Sequence, residues 1–420
     1  MNHSVVHNNM FVSCGEVSGD LYAADFIAAL LTRRPELRGC VWGMFGPKAL
    51  AACLPVPQRV CPLGYGERGD GPGWSYEELK LMGVAEVIPA LPRILRLRRA
   101  MVRAIMERQP SAAVLIDSPD YHLALAAALR RAGYQGRLIS LIPPTVWAWR
   151  SGRVKNLRRD FDLCLPLFSF EHRFLLEHGV RSLWTAHPLV RSLRDCSVPD
   201  ELRRRLNEAQ SAAQLGKGPV AHAGKGPVAL MPGSRRYDIK FHLDTLLGTA
   251  RLLREEGYLP VFSIAPGLSA PLAEELRQRT RGFEVWEGEG RELMAACLAV
   301  AGVSGTVAVE AMLLRRFMVV IYNLSRATYA LLKLMVHAPH ISIPNYLTDA
   351  TPLKPGGKPL YPELLCGQAA PGNIVTELRR YLEDPERKME IDRRLERARD
   401  AMGTGDAAAF WAECVLAELP

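Results

Sequence analysis

Short apolar runs rich in β-branched residues alternate with polar loops and helix-period stretches along most of this 420-residue chain. The first run, Met10–Cys14, is followed by the loop GEVSGD and a helical pattern over about 21–31. The next, 112–117, leads through SPDY into an Ala/Leu-rich stretch over 122–131 that stops at Gly133. Runs at 138–142, 228–231 and 298–303 lead into PPTVWAWR, PGSRRYD and SGT, and the last two loops open helical patterns. Alternating β and α units of this kind predict an α/β protein with two Rossmann-like, doubly wound parallel sheets facing a cleft. Ligands of such sheets bind at the carboxyl ends of the strands, where these loops lie.

The expected organisation is an N-terminal domain over 1–190, a linker over 191–227, a C-terminal domain over 228–385 and terminal helices over 386–420 that pack back on the body. The linker is placed by its Ala, Gly, Gln and Lys content and by a duplicated GKGPVA at Gly216 and Gly224. A unit that short buries no core, so it reads as local slippage and not as a structural repeat.

Composition narrows the class. Hydrophobic residues at 48% and charged residues at 23% suit a globular chain, not a disordered one. Lys+Arg 53 against Asp+Glu 44 gives a net charge of +9, which favours anionic partners. Nine scattered cysteines without a C-x-x-C pair predict free thiols in a reducing, cytoplasmic setting and no zinc ribbon. No secretory leader is expected in the N-terminal segment, and no apolar run reaches spanning length. No histidine or cysteine cluster has ligand spacing, so neither a metal nor a cofactor is expected. Nucleic acid is disfavoured, because no zinc-finger or RNP-type signature occurs.

Four loops could carry chemistry. Asp117 closes the run AAVLID, so its carboxylate emerges at a strand end as a candidate general base. Asp120 suits the N-cap of the following helix and is an alternative proton acceptor, as is a water relay. In PGSRR, Gly233 allows close backbone approach, Ser234 offers a hydroxyl and Arg235 a fork for phosphate oxygens; an ordinary strand–helix turn would read the same. In SGTVAVE, Glu310 lies four residues beyond Thr306, which does not fit a capping box; an acid there suits ribose hydroxyls. Together with Ser304 and Gly305 these residues predict a bound nucleoside diphosphate. Gly15, Glu16, Ser18, Gly19 and Asp20 form the matching loop of the first half, with Asp20 expected to cap the helix that follows.

Residues 79–108 differ in kind. An apolar segment through Met82, Val84, Val87, Ile88 and Leu91 precedes a helix with arginines at 93, 96, 98, 99, 103 and 108. That pattern suits a membrane interface, or equally a surface helix with its apolar face in the core. The Trp147 and Trp149 pair reads as a loop brace, and His187 reads as structural before catalytic.

Taken together, CGEVSGD (14–20), LMGVAEVIPALPRI (81–94), LIDSPDY (115–121), TVWAWRSGRVKNL (145–157), AHPL (186–189), MPGSRRYDIK (231–240), SGTVAVEAML (304–313) and ISIPNYL (341–347) resemble the lipid-A-disaccharide synthases. The segments lie in the family's order and cover most of the chain. Departures are Asn8 and Asn9, which interrupt the first strand where the family has a longer apolar run, Pro143-Pro144-Thr145 before WAWR, Ala186 in place of Gly, and an insertion over 348–361.

The resemblance implies an inverting, metal-independent transferase of the GT-B type. Its donor would be UDP-2,3-diacylglucosamine and its acceptor 2,3-diacylglucosamine 1-phosphate (lipid X), giving a β-1,6-linked disaccharide 1-phosphate and UDP. It further implies Asp117 as base and Arg235 as diphosphate contact. Gly305, Thr306 and Glu310 would hold the nucleotide, with Asn345 at the same site. The Met82 to Leu91 segment would touch the anionic inner-membrane surface, making the enzyme cytoplasmic and peripherally bound; a homodimer is compatible with the sequence. Rival readings are a MurG-like transferase, a UDP-GlcNAc 2-epimerase, or a nucleotide- or lipid-binding protein without turnover.

Overall fold

The computed structural model describes residues 9–53, 73–79, 84–214, 224–323, 338–348 and 358–419; the side chains of 84–88, 213 and 214 lie outside that description. The chain divides into two compact units, one of residues 1–188 with 405–420 and the other of residues 189–404.

The first unit holds a parallel six-stranded sheet of β1 (Met10–Cys14), β2 (Val41–Phe45), β3 (Gly73–Ser75), β4 (Ala112–Ile116), β5 (Arg137–Leu141) and β6 (Leu163–Leu165). Its spatial order is β3-β2-β1-β4-β5-β6. The central strands are apolar from end to end because helices cover both faces. In β1, Met10, Val12 and Cys14 enter a core with Phe26, Ile27, Leu30 and Trp411. Phe11 points the other way, toward Trp42, Met101, Ile105 and Tyr121. Asn9 precedes the strand and anchors it: its Oδ1 accepts from Trp42 Nε1 at 3.0 Å.

The second unit repeats the plan with β7 (Gly226–Met231), β8 (Tyr258–Ser263), β9 (Glu284–Trp286), β10 (Ala299–Val303), β11 (Phe317–Tyr322) and β12 (Glu363–Leu365). Its order, β12-β11-β10-β7-β8-β9, is the same sequence of strands reached from the other edge. All pairings are parallel. In both units the connection therefore reverses direction between the first and fourth strands: β1 and β4 in one, β7 and β10 in the other. Those are the topological switch points, where the loops of adjacent strands part and leave room for a ligand.

Three expectations of organisation change. The boundary falls at Pro188 and Leu189, and the supposed linker contains the helix Asp200–Gln214. That helix is amphipathic: Leu202 and Leu206 are buried, and Arg205 donates to the Val285 carbonyl at 2.9 Å. A charged, Ala-rich helix with only two core leucines reads as a linker by composition. The second GKGPVA copy supplies the first residues of β7, and residues 215–223 lie outside the described residues. The terminal helices also part company. Pro385–Asp400 stays with the second unit, whereas Ala407–Ala417 returns to the first. There Trp411 meets Tyr22 edge-on at 6.1 Å, and Glu413 pairs with Arg33 at 2.6 Å.

Asp20 does not cap its own helix, which already begins at Val17. It is buried, and its carboxylate accepts from the backbone N–H groups of Gly46, Lys48 and Ala49 at 2.9–3.0 Å. It thus caps the next helix, Pro47–Cys53. Asp20→Ala is expected to lower the unfolding free energy of the first unit by roughly 3 kcal/mol, since three N–H groups lose one charged acceptor. Denaturant titration checks this; an unchanged midpoint would show the cap to be dispensable.

Candidate active site

At the switch point of the first sheet, Cys14 and Ile116 are paired neighbours, so Gly15 and Asp117 leave the sheet side by side. Asp117 and Ser118 adopt consecutive left-handed conformations, with φ of 55° and 48°. For non-glycine residues each costs about 1–2 kcal/mol, so surrounding contacts must hold the turn. Asp117 N donates to the Leu141 carbonyl at 3.1 Å, and Ser118 N donates to Asp117 Oδ1 at 2.9 Å. Ser18 Oγ donates to Asp117 Oδ2 at 3.1 Å.

The GEVSGD loop is shaped around this carboxylate. A side chain at Gly15 would meet Ser118 Oγ at 2.0 Å, and one at Gly19 would press on Asp117 Cβ at 3.4 Å. Glu16, Val17 and Ser18 are exposed at the helix start. Burial raises the Asp117 pKa above its ordinary value, while the hydrogen bonds from Ser118 and Ser18 pull it back down. A carboxylate short of water and of cations is a stronger base than an exposed one.

Asp120 behaves differently. It caps nothing, because the helix already starts at Pro119 with Ser118 as its N-cap. Its carboxylate, 74% exposed, pairs with Arg150 at 3.3 Å and with Arg153. Two guanidinium groups thus engage Asp120, whereas Ser18 and the Ser118 N–H meet Asp117.

Trp147 braces its loop as expected: Nε1 donates to buried Glu171 at 2.9 Å, and the ring meets Phe170 edge-on. Arg150 stacks over Trp149 at 4.5 Å. His187 is buried against Phe168, and burial lowers its pKa to about 3.

In the helix Val84–Arg108, Leu97, Met101 and Ile105 are buried, Arg93, Arg96, Arg99 and Arg103 are exposed, and Leu91 is 48% exposed. Arg98 is only partly exposed, and Arg108 covers the Trp42 ring at 4.6 Å. Met82 lies outside the described residues, as do the side chains of Val84, Val87 and Ile88. Among the described residues no helix is long and apolar enough to cross a membrane.

The switch point of the second sheet lies between β7 and β10, where Met231 pairs with Gly302. Gly233 has φ +100°, and a Cβ there would lie 2.4 Å from Asp238 Cβ, so the turn requires glycine. Ser234 and Arg235 are exposed at the start of the helix Arg236–Glu255. Across the switch point, Ser304 and Gly305 lead into the helix Thr306–Leu313, with open space beside Gly305. Two helix N-termini thus leave adjacent strands, an arrangement suited to an anionic diphosphate.

Glu310 lies one turn inside that helix, and burial raises its pKa to about 7; Arg291 opposes the rise and Glu289 adds to it. Folding therefore favours the protonated carboxyl. That contribution to stability is complete below the unfolded value near 4.5 and disappears as pH rises through about 7. Glu310→Gln is expected to raise the melting temperature at about pH 8 and leave it nearly unchanged at about pH 4.5. Thermal melts at the two pH values check this. An unchanged melt at alkaline pH would contradict the buried charge.

Asn345 is 1% exposed, and its amide is fully engaged. Its Nδ2 donates to the Tyr361 carbonyl at 3.0 Å and to Glu363 at 2.8 Å, and Oδ1 accepts from Tyr361 N at 2.8 Å. It therefore braces its segment from within and has no N–H left for a nucleotide. Residues 349–357 of the expected insertion lie outside the described residues. Sequence reading missed the buried pair Ser13 and His122, linked at 2.9 Å. The available signal was a serine inside the otherwise apolar strand MFVSC.

Two doubly wound parallel sheets, each with a polar loop pair at its switch point, define a protein of the two-Rossmann, GT-B class. Solved structures agree on the fold. An S. aureus MnaA–UDP co-structure matches with TM-score 0.52 at 12% identity, covering 97% of this chain and 94% of that one. An E. coli trehalose-6-phosphate structure with UDP-2-fluoro glucose bound matches with TM-score 0.50 at 12% identity, covering 98% of both chains. The family model for lipid-A-disaccharide synthetase matches residues 72–406. Lipid-A-disaccharide synthase from Pseudomonas aeruginosa (strain UCBPP-PA14) is 35% identical over 96% of both chains. The Myxococcus xanthus enzyme of that name is 33% identical over 98% of this chain and 97% of its own. The chain belongs to the lipid-A-disaccharide synthase family.

Proposed function

We propose that this protein condenses UDP-2,3-diacylglucosamine with lipid X to the β-1,6-linked lipid A disaccharide 1-phosphate, releasing UDP. The observation that carries this reading is the pairing of functions across two like sheets. One switch point presents a desolvated carboxylate, and the other presents two helix N-termini, an exposed arginine and a half-buried acid.

The chemistry follows from those groups. The 6-hydroxyl of lipid X attacks the donor's anomeric carbon, forming the new C–O bond, and Asp117 takes its proton. The bond from that carbon to the diphosphate oxygen breaks on the opposite face, and UDP leaves with the electron pair. Arg235, with the N–H groups at the two helix starts, stabilises the charge that develops on the leaving diphosphate. Ser234 and the 304–306 turn hold the phosphates, Gly233 keeps the backbone close, and Glu310 accepts from ribose hydroxyls. Asn345 braces the segment leading into β12 through Tyr361 and Glu363.

Both substrates carry acyl chains. The exposed arginines at 93, 96, 99 and 103 and exposed Leu91 suit peripheral docking on an anionic inner-membrane surface. Incubating purified protein with both substrates tests the reading. Mass spectrometry should show an acylated disaccharide 1-phosphate only when lipid X is present. Consumption of the UDP-sugar without lipid X, giving an epimer, would favour the epimerase reading instead.

A further inference from the structure

His122, in the helix Pro119–Arg131, is buried. Its backbone N–H donates to the Ser118 carbonyl at 3.0 Å. Its ring Nδ1 lies 2.6 Å from the Asp117 carbonyl, and Nε2 lies 2.9 Å from Ser13 Oγ. One residue therefore holds the carbonyls of both left-handed residues that aim the candidate base.

The hydrogen-bond roles are fixed by elimination. A carbonyl only accepts, so Nδ1 carries the proton. Burial lowers the His122 pKa to about 4, so the ring is neutral, Nε2 is bare, and Ser13 donates to it. The neutral state matters for the chemistry nearby. A lysine or arginine could also donate to that carbonyl, but its charge would stabilise the Asp117 carboxylate and weaken it as a base. A neutral imidazole fixes the turn without that penalty.

We propose that His122 is a positioning residue for Asp117: through Nδ1–H it locks the strained turn that points the carboxylate at the acceptor hydroxyl. This rests on the reading of Asp117 as the general base. Misplacing a reacting group by about 1 Å can cost on the order of 100-fold in rate. The role should therefore appear in kcat more than in donor KM.

The amides of asparagine and glutamine separate the two arms of the imidazole. An Asn amide nitrogen can stand in for Nδ1, and a Gln amide oxygen reaches the position of Nε2 and can accept from Ser13. His122→Asn should retain kcat within about threefold of wild type, whereas His122→Phe and His122→Gln should lose about 10–100-fold with donor KM changed less than about twofold. Should His122→Phe fail to fold, the Asn and Gln variants, which bury the same amide, carry the comparison. Equal kcat for those two, or a more active Gln variant, overturns the proposal and leaves His122 as a tether to the strand through Ser13. Wild-type transfer and an inactive Asp117→Asn variant establish the base independently, so failure of the positioning role is distinguishable from failure of that reading.

Discussion

Asp117→Asn is expected to lower kcat by about 10²–10⁴-fold, the span over which general-base catalysis operates, with the fold intact. The amide is nearly the same size; its Oδ1 can still accept from Ser118 N and its Nδ2 can donate to Ser18 Oγ, so the left-handed turn keeps its supports. What it loses is the capacity to take a proton. The pH profile gives a second reading of the same group. The base works only when ionised, and burial raises its pKa, so activity should fall away on the acid side at a higher pH than an exposed aspartate would show. Ser18→Ala removes a hydrogen bond that lowers that pKa and should move the acid limb further up. Near-normal turnover in Asp117→Asn would remove this residue from the mechanism.

Arg235→Ala is expected to cost about 10²–10³-fold in kcat/KM, as loss of one preorganised stabiliser of transition-state charge typically does. The side chain is exposed and makes no hydrogen bond or ion pair to the described residues, so its removal leaves no buried partner and should not change stability. Stability and activity therefore separate cleanly at this position. Arg235→Lys keeps the charge and loses the planar fork, and it should recover only part of the rate. Equal kcat/KM in Arg235→Ala and wild type would place the leaving diphosphate elsewhere.

Much of the architecture was legible because buried parallel strands write themselves as continuous apolar runs. Met10–Cys14 and the FMVVIY of Phe317–Tyr322 needed no tertiary information. The loops at strand ends were legible for the same reason, since polar Gly, Ser and Asp residues there break the run. What escaped depends on partners distant in sequence. Asp20 stands where an N-cap belongs, yet its acceptor oxygens serve Gly46, Lys48 and Ala49 at the start of the following helix. Asp120 also stands at a cap position and instead meets Arg150 and Arg153. His122 is one of ten histidines, and only its place below the β4 turn gives it meaning. The helix Asp200–Gln214 was hidden because its two buried leucines sit among charges that composition alone assigns to solvent.

The assignment of donor and base to separate sheets is tested most directly by a crystal structure with UDP bound. The account predicts the diphosphate against Ser234, Arg235 and the turn at 304–306, with the ribose hydroxyls on Glu310. A nucleotide lodged in the other sheet, between Gly15 and Asp117, would contradict it.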